Sequence, residues 1–166
     1  MLRVKKLLKL LLLEREKVPL YTSMFADVGL DIDNVELAGA RDGTHLRVPI
    51  TPQLKAADAS GNTLSSGAAM KIIDTFTSLH AFALRGRGNA VSIDLQLSVV
   101  GPVRIGKRYY LSSRIIKDDE TSGPLTALSA TVHEGEGVGT LLMVASHSKC
   151  LIHPSKTEIG QFESKL

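Results

Sequence analysis

The fold is decided by residues 66–99, which read SGAAMKIIDTFTSLHAFALRGRGNAVSIDLQLSV. The first part of this stretch has the period of three to four residues that is typical of one buried helix face. That face consists of Ala69, Ile72, Ile73, Phe76, His80 and Ala83. Ser66 is a candidate N-cap, and the glycines within residues 85–89 are typical helix terminators. The pattern predicts a long helix that begins at Ser66 and ends near Arg85.

The second part of the stretch has the period of two that is typical of a strand. Apolar and polar residues alternate from Val91 to Val99, which predicts one apolar face and one polar face, with Ser92 on the polar face. Three more strand-like segments follow, at 107–117, 125–133 and 138–152. Because the links between them are short, the sequence predicts an antiparallel meander.

Upstream of the helix, two short segments are also strand-like. Residues 35–40 and 44–50 are joined by Arg41-Asp42-Gly43, and an Asp-Gly step favours a hairpin. Residues 51–65 are rich in Pro, Ala, Ser and Gly, which is typical of a loop. Long strands after one buried helix predict an α+β fold, with a curved antiparallel sheet wrapped around that helix.

The first residues of the chain form a separate feature. Residues 1–17 are rich in Leu and Lys with amphipathic spacing, and their apolar core is shorter than the ~20 residues of a membrane span. Three interpretations stay open: a helix packed on its own domain, a targeting segment, or a membrane-surface contact. We therefore divide the chain into an amphipathic helix at 1–20 and one folded domain at 21–166.

Composition excludes several classes of function. The chain has 166 residues, 43% of them hydrophobic and 22% charged, as in ordinary globular domains. Its net charge of +3 is too small to indicate nucleic-acid binding. The five histidines have no metal-ligand spacing, so no metal is expected. The single cysteine, Cys150, cannot form an internal disulfide, which favours a reducing compartment.

Three short stretches carry a resemblance to a known family. They are GNTLSSGAA at 61–69, Ile73-Asp74 on the helix, and AVSIDL at 90–95. Together they resemble the hotdog-fold acyl-CoA thioesterases of the PaaI-like type, and especially the small animal mitochondrial enzymes. In that family, an Asp follows the second Gly of a His-Gly-Gly helix start by seven residues, and a Ser or Thr follows eighteen residues later. Gly67, Asp74 and Ser92 keep both spacings, and the likeness covers about 35–152.

The resemblance implies a fold, an activity and roles for individual residues. The implied fold is the hotdog fold, and the implied activity is cofactor-free hydrolysis of acyl-CoA by homodimers or dimers of dimers, without stable membrane insertion. Asp74 would act as general base or nucleophile, the amides of Ser66 and Gly67 would polarise the thioester carbonyl, and Ser92 would orient the reacting groups. The implied location is mitochondrial or cytoplasmic, with the mitochondrion favoured.

Coenzyme A would need further contacts. His147-Ser148-Lys149 resembles a His-Thr-Lys stretch of the animal enzymes, and cationic side chains suit the phosphates of the ligand. The residues expected to bind coenzyme A are Ser65, Asn62, Arg85, Arg87, His147 and Lys149.

The chain also departs from the family pattern. Ser65-Ser66 replaces His-Gly, and the loop Asn of the family aligns with Ala59, with Asp58 and Asn62 nearby. These departures favour a rival interpretation, in which a degenerate hotdog protein binds acyl-CoA without hydrolysis or serves as a structural subunit of a larger assembly. A hotdog hydratase is a weaker third interpretation, because its His and Asp pairing is not apparent.

Each site residue also has a plain structural interpretation. Asp74 could form an i,i+3 ion pair with Lys71, Ser66 could simply cap its helix, and Ser92 could lie on the sheet surface.

Geometry adds one constraint on the site. Ser66 and Asp74 are eight residues apart, which is ~12 Å along a helix axis. One helix cannot bring both to the same carbonyl carbon. A site that uses both therefore needs two chains.

Overall fold

The structure is a computed structural model that describes residues 19–37, 44–85, 89–118, 125–135 and 139–152. The helix predicted for residues 1–17 lies outside these ranges, as do the tip of the first hairpin and the glycines that follow the long helix.

The described residues form two α-helices and six strands. The helices are α1 (Pro19–Val28) and α2 (Ser66–Arg85). The strands are β1 (Glu36–Leu37), β2 (His45–Ile50), β3 (Asn89–Val99), β4 (Tyr109–Asp118), β5 (Leu125–Glu134) and β6 (Thr140–Ile152). The long helix and the strands that follow it agree with the sequence pattern to within about two residues at each end.

All six strands belong to one antiparallel sheet with the order β1-β2-β4-β5-β6-β3. The meander is confirmed for β4, β5 and β6, but it is wrong for β3, which pairs with β6 at the far edge. The reason is the length of α2. Its 20 residues span ~30 Å, whereas β2 and β3 are four strand spacings, ~19 Å, apart. The helix therefore carries the chain across the whole sheet before β3 begins.

The sheet curves around α2 and buries its apolar face. Ile72, Ile73 and Phe76 are almost fully buried in the main core, as the helical period predicts. His80 is also buried, and its Nδ1 lies 2.8 Å from the Ser113 hydroxyl on β4. The α+β architecture of a sheet around one long helix is confirmed.

Helix α1 packs beside α2 and was not predicted from the sequence pattern. It begins at Pro19, whose missing N–H costs nothing at a first helical position. It ends at Gly29, where φ is +56° and a side chain would collide with the Thr51 carbonyl. Phe25 and Val28 fix α1 to the core. In the described parts of the chain, no helix has the length and hydropathy of a membrane span.

A β-bulge in β3 changes which way Ser92 faces. The pairing with β6 is irregular between Ser92 and Asp94, so Ile93 is an extra residue without a partner. Ser92 lies opposite Lys149, and Leu95 lies opposite His147. Residues paired directly across two strands share a sheet face, so Ser92 and Leu95 both face α2. The prediction that Ser92 faces away from the apolar residues of its strand is therefore wrong.

Candidate active site

Asp74 lies midway along α2, with its side chain 43% exposed and its Oδ1 atom surrounded by three groups. The Ser92 hydroxyl donates to Oδ1 at 2.6 Å, and the Lys149 ammonium group donates to it at 3.1 Å. The His147 Nε2 atom lies 3.3 Å from the same oxygen. No ion pair joins Lys71 to Asp74 in the described structure, so the partners of the carboxylate come from the sheet and not from its own helix.

Lys149 is a buried cation, because only 1% of its side chain is exposed. Its Nζ atom donates to Ser92 Oγ at 2.9 Å as well as to Asp74. The Ser92 hydroxyl therefore accepts from the lysine and gives its own proton to the carboxylate. These three side chains form a closed hydrogen-bonded triangle that links α2, β3 and β6.

His147 is buried beside this triangle and contacts Thr77 of α2. The Thr77 hydroxyl lies 2.7 Å from the Ile73 carbonyl oxygen and 2.7 Å from His147 Nδ1. The other ring nitrogen, Nε2, faces the Asp74 carboxylate at contact distance without a hydrogen bond.

The charges of the cluster follow from burial and from these contacts. Burial and the Lys149 charge lower the pKa of His147 to about 4, so its ring is neutral near pH 7. Burial raises the pKa of Asp74, but the Ser92 hydrogen bond and the Lys149 ammonium outweigh it, and the net pKa of Asp74 is below its usual value. Burial lowers the pKa of Lys149, while the Asp74 carboxylate opposes that shift. Asp74 is therefore ionised at neutral pH.

The start of α2 supplies a different kind of group. Ser65 is the N-cap, since its hydroxyl accepts from the Ala68 amide at 3.2 Å. The prediction of Ser66 as the N-cap is therefore wrong by one residue. No acceptor contacts the amides of Ser66 and Gly67 among the described residues, as expected for a first helical turn. A methyl group added at the Gly67 Cα would meet no atom within 4 Å apart from the helix's own nearby backbone and the adjacent residues, so the space beside this residue is open.

A groove of about 510 Å³ runs between α1 and the first half of α2. Ser65 and Gly67 line one end of it, and Asp74 lines it further along the helix. Met24 of α1 forms part of the opposite wall. The groove therefore connects the open amide to the carboxylate along one side of α2.

The loop before α2 does not supply the side-chain amide that the family has there. The Asp58 carboxylate accepts from Ser60 and Thr63 within its own loop, and these bonds lower its pKa to about 2. The backbone of Asn62 accepts from Ile105. Neither Asp58 nor Asn62 lines the groove.

Two of the other residues expected to bind coenzyme A lie in the protein interior. His147 and Lys149 lie in the buried cluster at Asp74 and not at the surface, where a phosphate would be met. Arg85 is the last residue of α2, and Arg87 lies outside the described residues. Nowhere in the described segments do three His, Cys, Asp or Glu side chains come together as a metal site would require.

Solved structures with the same fold include several thioesterases. Thioesterase superfamily member 2 from mouse matches with a TM-score of 0.66 and 18% identity, over 87% of this chain and 95% of the mouse chain. The zebrafish member 2 matches with a TM-score of 0.67 and 14% identity over the same shares. The chain has the hotdog fold. A hotdog protein from Streptococcus mutans, solved with acetyl-CoA bound, matches with a TM-score of 0.59 and 15% identity, over 74% of this chain and 92% of that one.

No protein-family model matches this hotdog chain, and no curated protein matches it by sequence.

His147 and Lys149 of β6 were expected to bind coenzyme A, but their contacts with Asp74 were not predicted, although the sequence of β6 contains a signal. His147 and Lys149 are two residues apart, so they lie on one face of a strand. Ala145 and Met143 continue that face into the core. A cationic and a polar residue on a buried strand face need partners. Asp74, on the only long helix among the described residues, was the available carboxylate.

Proposed function

We propose that this protein hydrolyses acyl-CoA thioesters to a free acid and coenzyme A. The observation that carries the proposal is the Asp74 carboxylate, which is ionised, held on Oδ1 by protein groups, and exposed to the groove that begins at Gly67. A fixed carboxylate and open helix-start amides are the two groups that acyl transfer needs.

The proposed reaction assigns a task to each group. The amides of Ser66 and Gly67 polarise the thioester carbonyl and stabilise the negative charge that develops on its oxygen. Asp74 either takes a proton from an attacking water molecule or attacks the carbonyl carbon itself, in which case water then hydrolyses the resulting mixed anhydride to the free acid and restores the carboxylate. A carbon–oxygen bond forms, the carbon–sulfur bond breaks, and the thiolate of coenzyme A leaves and takes up a proton. No cofactor takes part in these steps.

We further propose that the site is shared between two subunits. The helix start and Asp74 of one chain are ~12 Å apart along α2, too far to act on one carbonyl group. An exposed edge strand supports a second copy as the partner. β3 is 11 residues long, and its Val91, Ile93 and Val99 side chains are 51%, 60% and 53% exposed. The unpaired backbone groups of a long exposed edge strand are a template for pairing with a strand of another chain, and pairing two copies of β3 would extend the sheet into a homodimer.

The substrate class rests on two observations. The Streptococcus mutans hotdog protein was solved with acetyl-CoA, and here a groove of about 510 Å³ is lined by both Gly67 and Asp74. We propose a reducing compartment, the mitochondrial matrix or the cytosol, since Cys150 is a free, half-buried thiol.

The first test is turnover by the full-length protein on a panel of acyl-CoAs of increasing chain length, with a thiol reagent as detector. We expect release of coenzyme A that depends on enzyme concentration and is lost in Asp74→Asn. An absence of release for every member of the panel would overturn the proposal.

The shared site has its own test, in which two damaged chains repair each other. Asp74→Ala lacks the carboxylate, and Gly67→Pro lacks one amide N–H near a helix start, where proline is tolerated. Random exchange makes about half of the dimers hybrid, and each hybrid has one intact site of two. We expect about a quarter of wild-type activity to return after mixing. Parental activity in a mixture whose hybrids are verified by mass spectrometry would contradict the two-chain site.

One observation favours a second candidate, an acyl-CoA-binding protein without hydrolysis. Asp58 is held within its loop, and Asn62 lies outside the groove, so no loop amide faces the helix start. Saturable binding of acyl-CoA by calorimetry without any release of free coenzyme A would support this candidate.

A further inference from the structure

The Lys149 ammonium group lies inside the protein at a cost that needs an explanation. An ammonium ion buried without compensation is strongly unfavourable. Its hydrogen bonds to Asp74 and Ser92 provide the compensation. A well-packed apolar side chain in the same place would often be equally or more stable. The pair is therefore weak evidence for a purely stabilising role.

The contacts of Asp74 are distributed unequally between its two oxygens. All three neighbouring groups, from Ser92, His147 and Lys149, lie at Oδ1. No donor contacts Oδ2 within the described part of the structure. The carboxylate is thus held by one oxygen, and the other oxygen is left for water or substrate.

We propose that Lys149 is a positioning residue that keeps Asp74 ionised and fixes its orientation, so that Oδ2 faces the groove as the reactive oxygen. This inference rests on the proposed function, because the reaction is what uses Oδ2. Lys149 acts in two ways: directly through its charge on Oδ1, and indirectly by holding the Ser92 hydroxyl with its proton aimed at the same oxygen. It touches no reacting atom.

The other groups around the carboxylate do not provide this charge. From α2, Thr77 is neutral and binds His147. The Lys71 side chain of the same helix lines the same groove but forms no ion pair with Asp74 in the described structure. From β6, the His147 ring is neutral near pH 7, because burial and Lys149 lower its pKa. From β3, Ser92 is neutral, and the Asp94 carboxylate is negative and close enough to influence the His147 ring. Lys149 is the one cation in contact with Asp74 among the described residues.

The direct test follows the titration of Asp74 itself. In protein labelled with ¹³C in the aspartate carboxyl groups, the Asp74 signal is identified by its absence from Asp74→Asn. We expect the Asp74 pKa to rise by about one unit or more in Lys149→Met. The charge-matched control is Arg47→Met, which removes a cation from the surface pair with Glu36. That pair lies three strand spacings, ~14 Å, from β6, and its loss should leave the titration unchanged.

The kinetic test uses the same variants. Ionised Asp74 is the active form, so a higher pKa shifts the acid limb of kcat/KM to higher pH. We expect that shift in Lys149→Met and not in Arg47→Met. We expect Lys149→Arg, which keeps the charge, to keep the limb near its wild-type position. A merely structural lysine would lower the rate equally at all pH values and leave the limb in place.

The outcomes separate this inference from the proposed function. If wild-type protein hydrolyses no acyl-CoA but the Asp74 titration shifts in Lys149→Met, the proposed function fails and the effect of Lys149 on the carboxylate stands. An unchanged Asp74 titration in folded Lys149→Met overturns the inference, whatever the activity. Lys149→Gln keeps a donor without the charge, and it supplies the same measurement if the methionine variant does not fold.

Discussion

The middle and the start of α2 provide two parts of the proposed site that are built in opposite ways. At Asp74, three side chains from two strands surround one carboxylate oxygen. At Ser66 and Gly67, two amides face an open groove, with no acceptor among the described residues. The carboxylate needs the whole tertiary structure around it, whereas the amides need only the end of a helix.

This difference determines which part of the proposed site is sensitive to substitution. A charge that is fixed by specific hydrogen-bonded partners responds strongly to the loss of any partner. Backbone amides persist through most substitutions, and only proline or added bulk disturbs them. The held carboxylate is therefore expected to respond most to substitution, and the open helix start least.

The largest expected effect is the loss of activity in Asp74→Asn. A positioned general base typically contributes 10²- to 10⁴-fold, so we expect kcat/KM to fall at least about 100-fold. The measurement is steady-state hydrolysis of the preferred acyl-CoA. Asp33→Asn, which removes an exposed carboxylate of the turn after α1, is the matched control and should retain activity. A loss of less than tenfold in Asp74→Asn would exclude the carboxylate from the reaction.

The second effect concerns the bulge that turns Ser92 toward Asp74. Deletion of Ile93 should leave a regular ladder with Ser92 still opposite Lys149, since Ile93 has no partner and is mostly exposed. Deletion of Gln96, which is paired, should instead turn Leu95 or Leu97 outward and cost about 2 kcal/mol of apolar burial.

Denaturant unfolding of the two deletion variants measures this difference. Equal free energies of unfolding for the two would mean that the bulge does not set the facing of Ser92.

The third effect is a dependence of stability on pH. In Asp74→Asn, Lys149 stays buried without its carboxylate, so its folded-state pKa falls further below the unfolded value of ~10.4. Between those two pKa values the unfolded chain binds more protons, and stability therefore rises with pH.

Thermal unfolding from pH 6 to pH 10 tests this third prediction. The Tm of Asp74→Asn should rise relative to that of wild type as pH increases. The corresponding gain in the free energy of unfolding is about 1.4 kcal/mol for each unit by which the variant lowers the Lys149 pKa further. The double variant Asp74→Asn/Lys149→Met serves as the control and should lose the rise. Parallel curves for single and double variants would refute an unpaired buried lysine.

The smallest effect is expected at the helix start. Gly67→Ala adds a methyl group where no atom lies within 4 Å, so the fold should accept it, with a gain of up to about 1 kcal/mol from reduced chain entropy. The same methyl group would occupy the space through which a thioester approaches the amide. We expect KM to rise several-fold while Tm stays equal or increases. A lower KM would argue against the helix start as the carbonyl site.

The sequence predicted much of the fold because the relevant signals are local. The period of Ile72, Ile73 and Phe76 predicted α2, and the alternation and short links predicted β4, β5 and β6. The position of β3 beside β6 was missed, because a crossover depends on how far α2 carries the chain. Helix α1 was missed because its ten residues carry a weak amphipathic pattern, and tertiary contacts of Phe25 stabilise it.

In the candidate site, too, the features that depend on local geometry were predictable from the sequence, and those that depend on tertiary contacts were not. The sequence alone determined that a carboxylate would interrupt an apolar helix at Asp74, that small residues would begin that helix, and that the two lie ~12 Å apart, because helical rise is a local property. The partners of the carboxylate depend instead on tertiary contacts. The bulge at Ile93 turned Ser92 inward, and the pairing of β3 with β6 placed Lys149 beneath Asp74. Register and burial join residues 75 positions apart, and no period in the sequence specifies that contact.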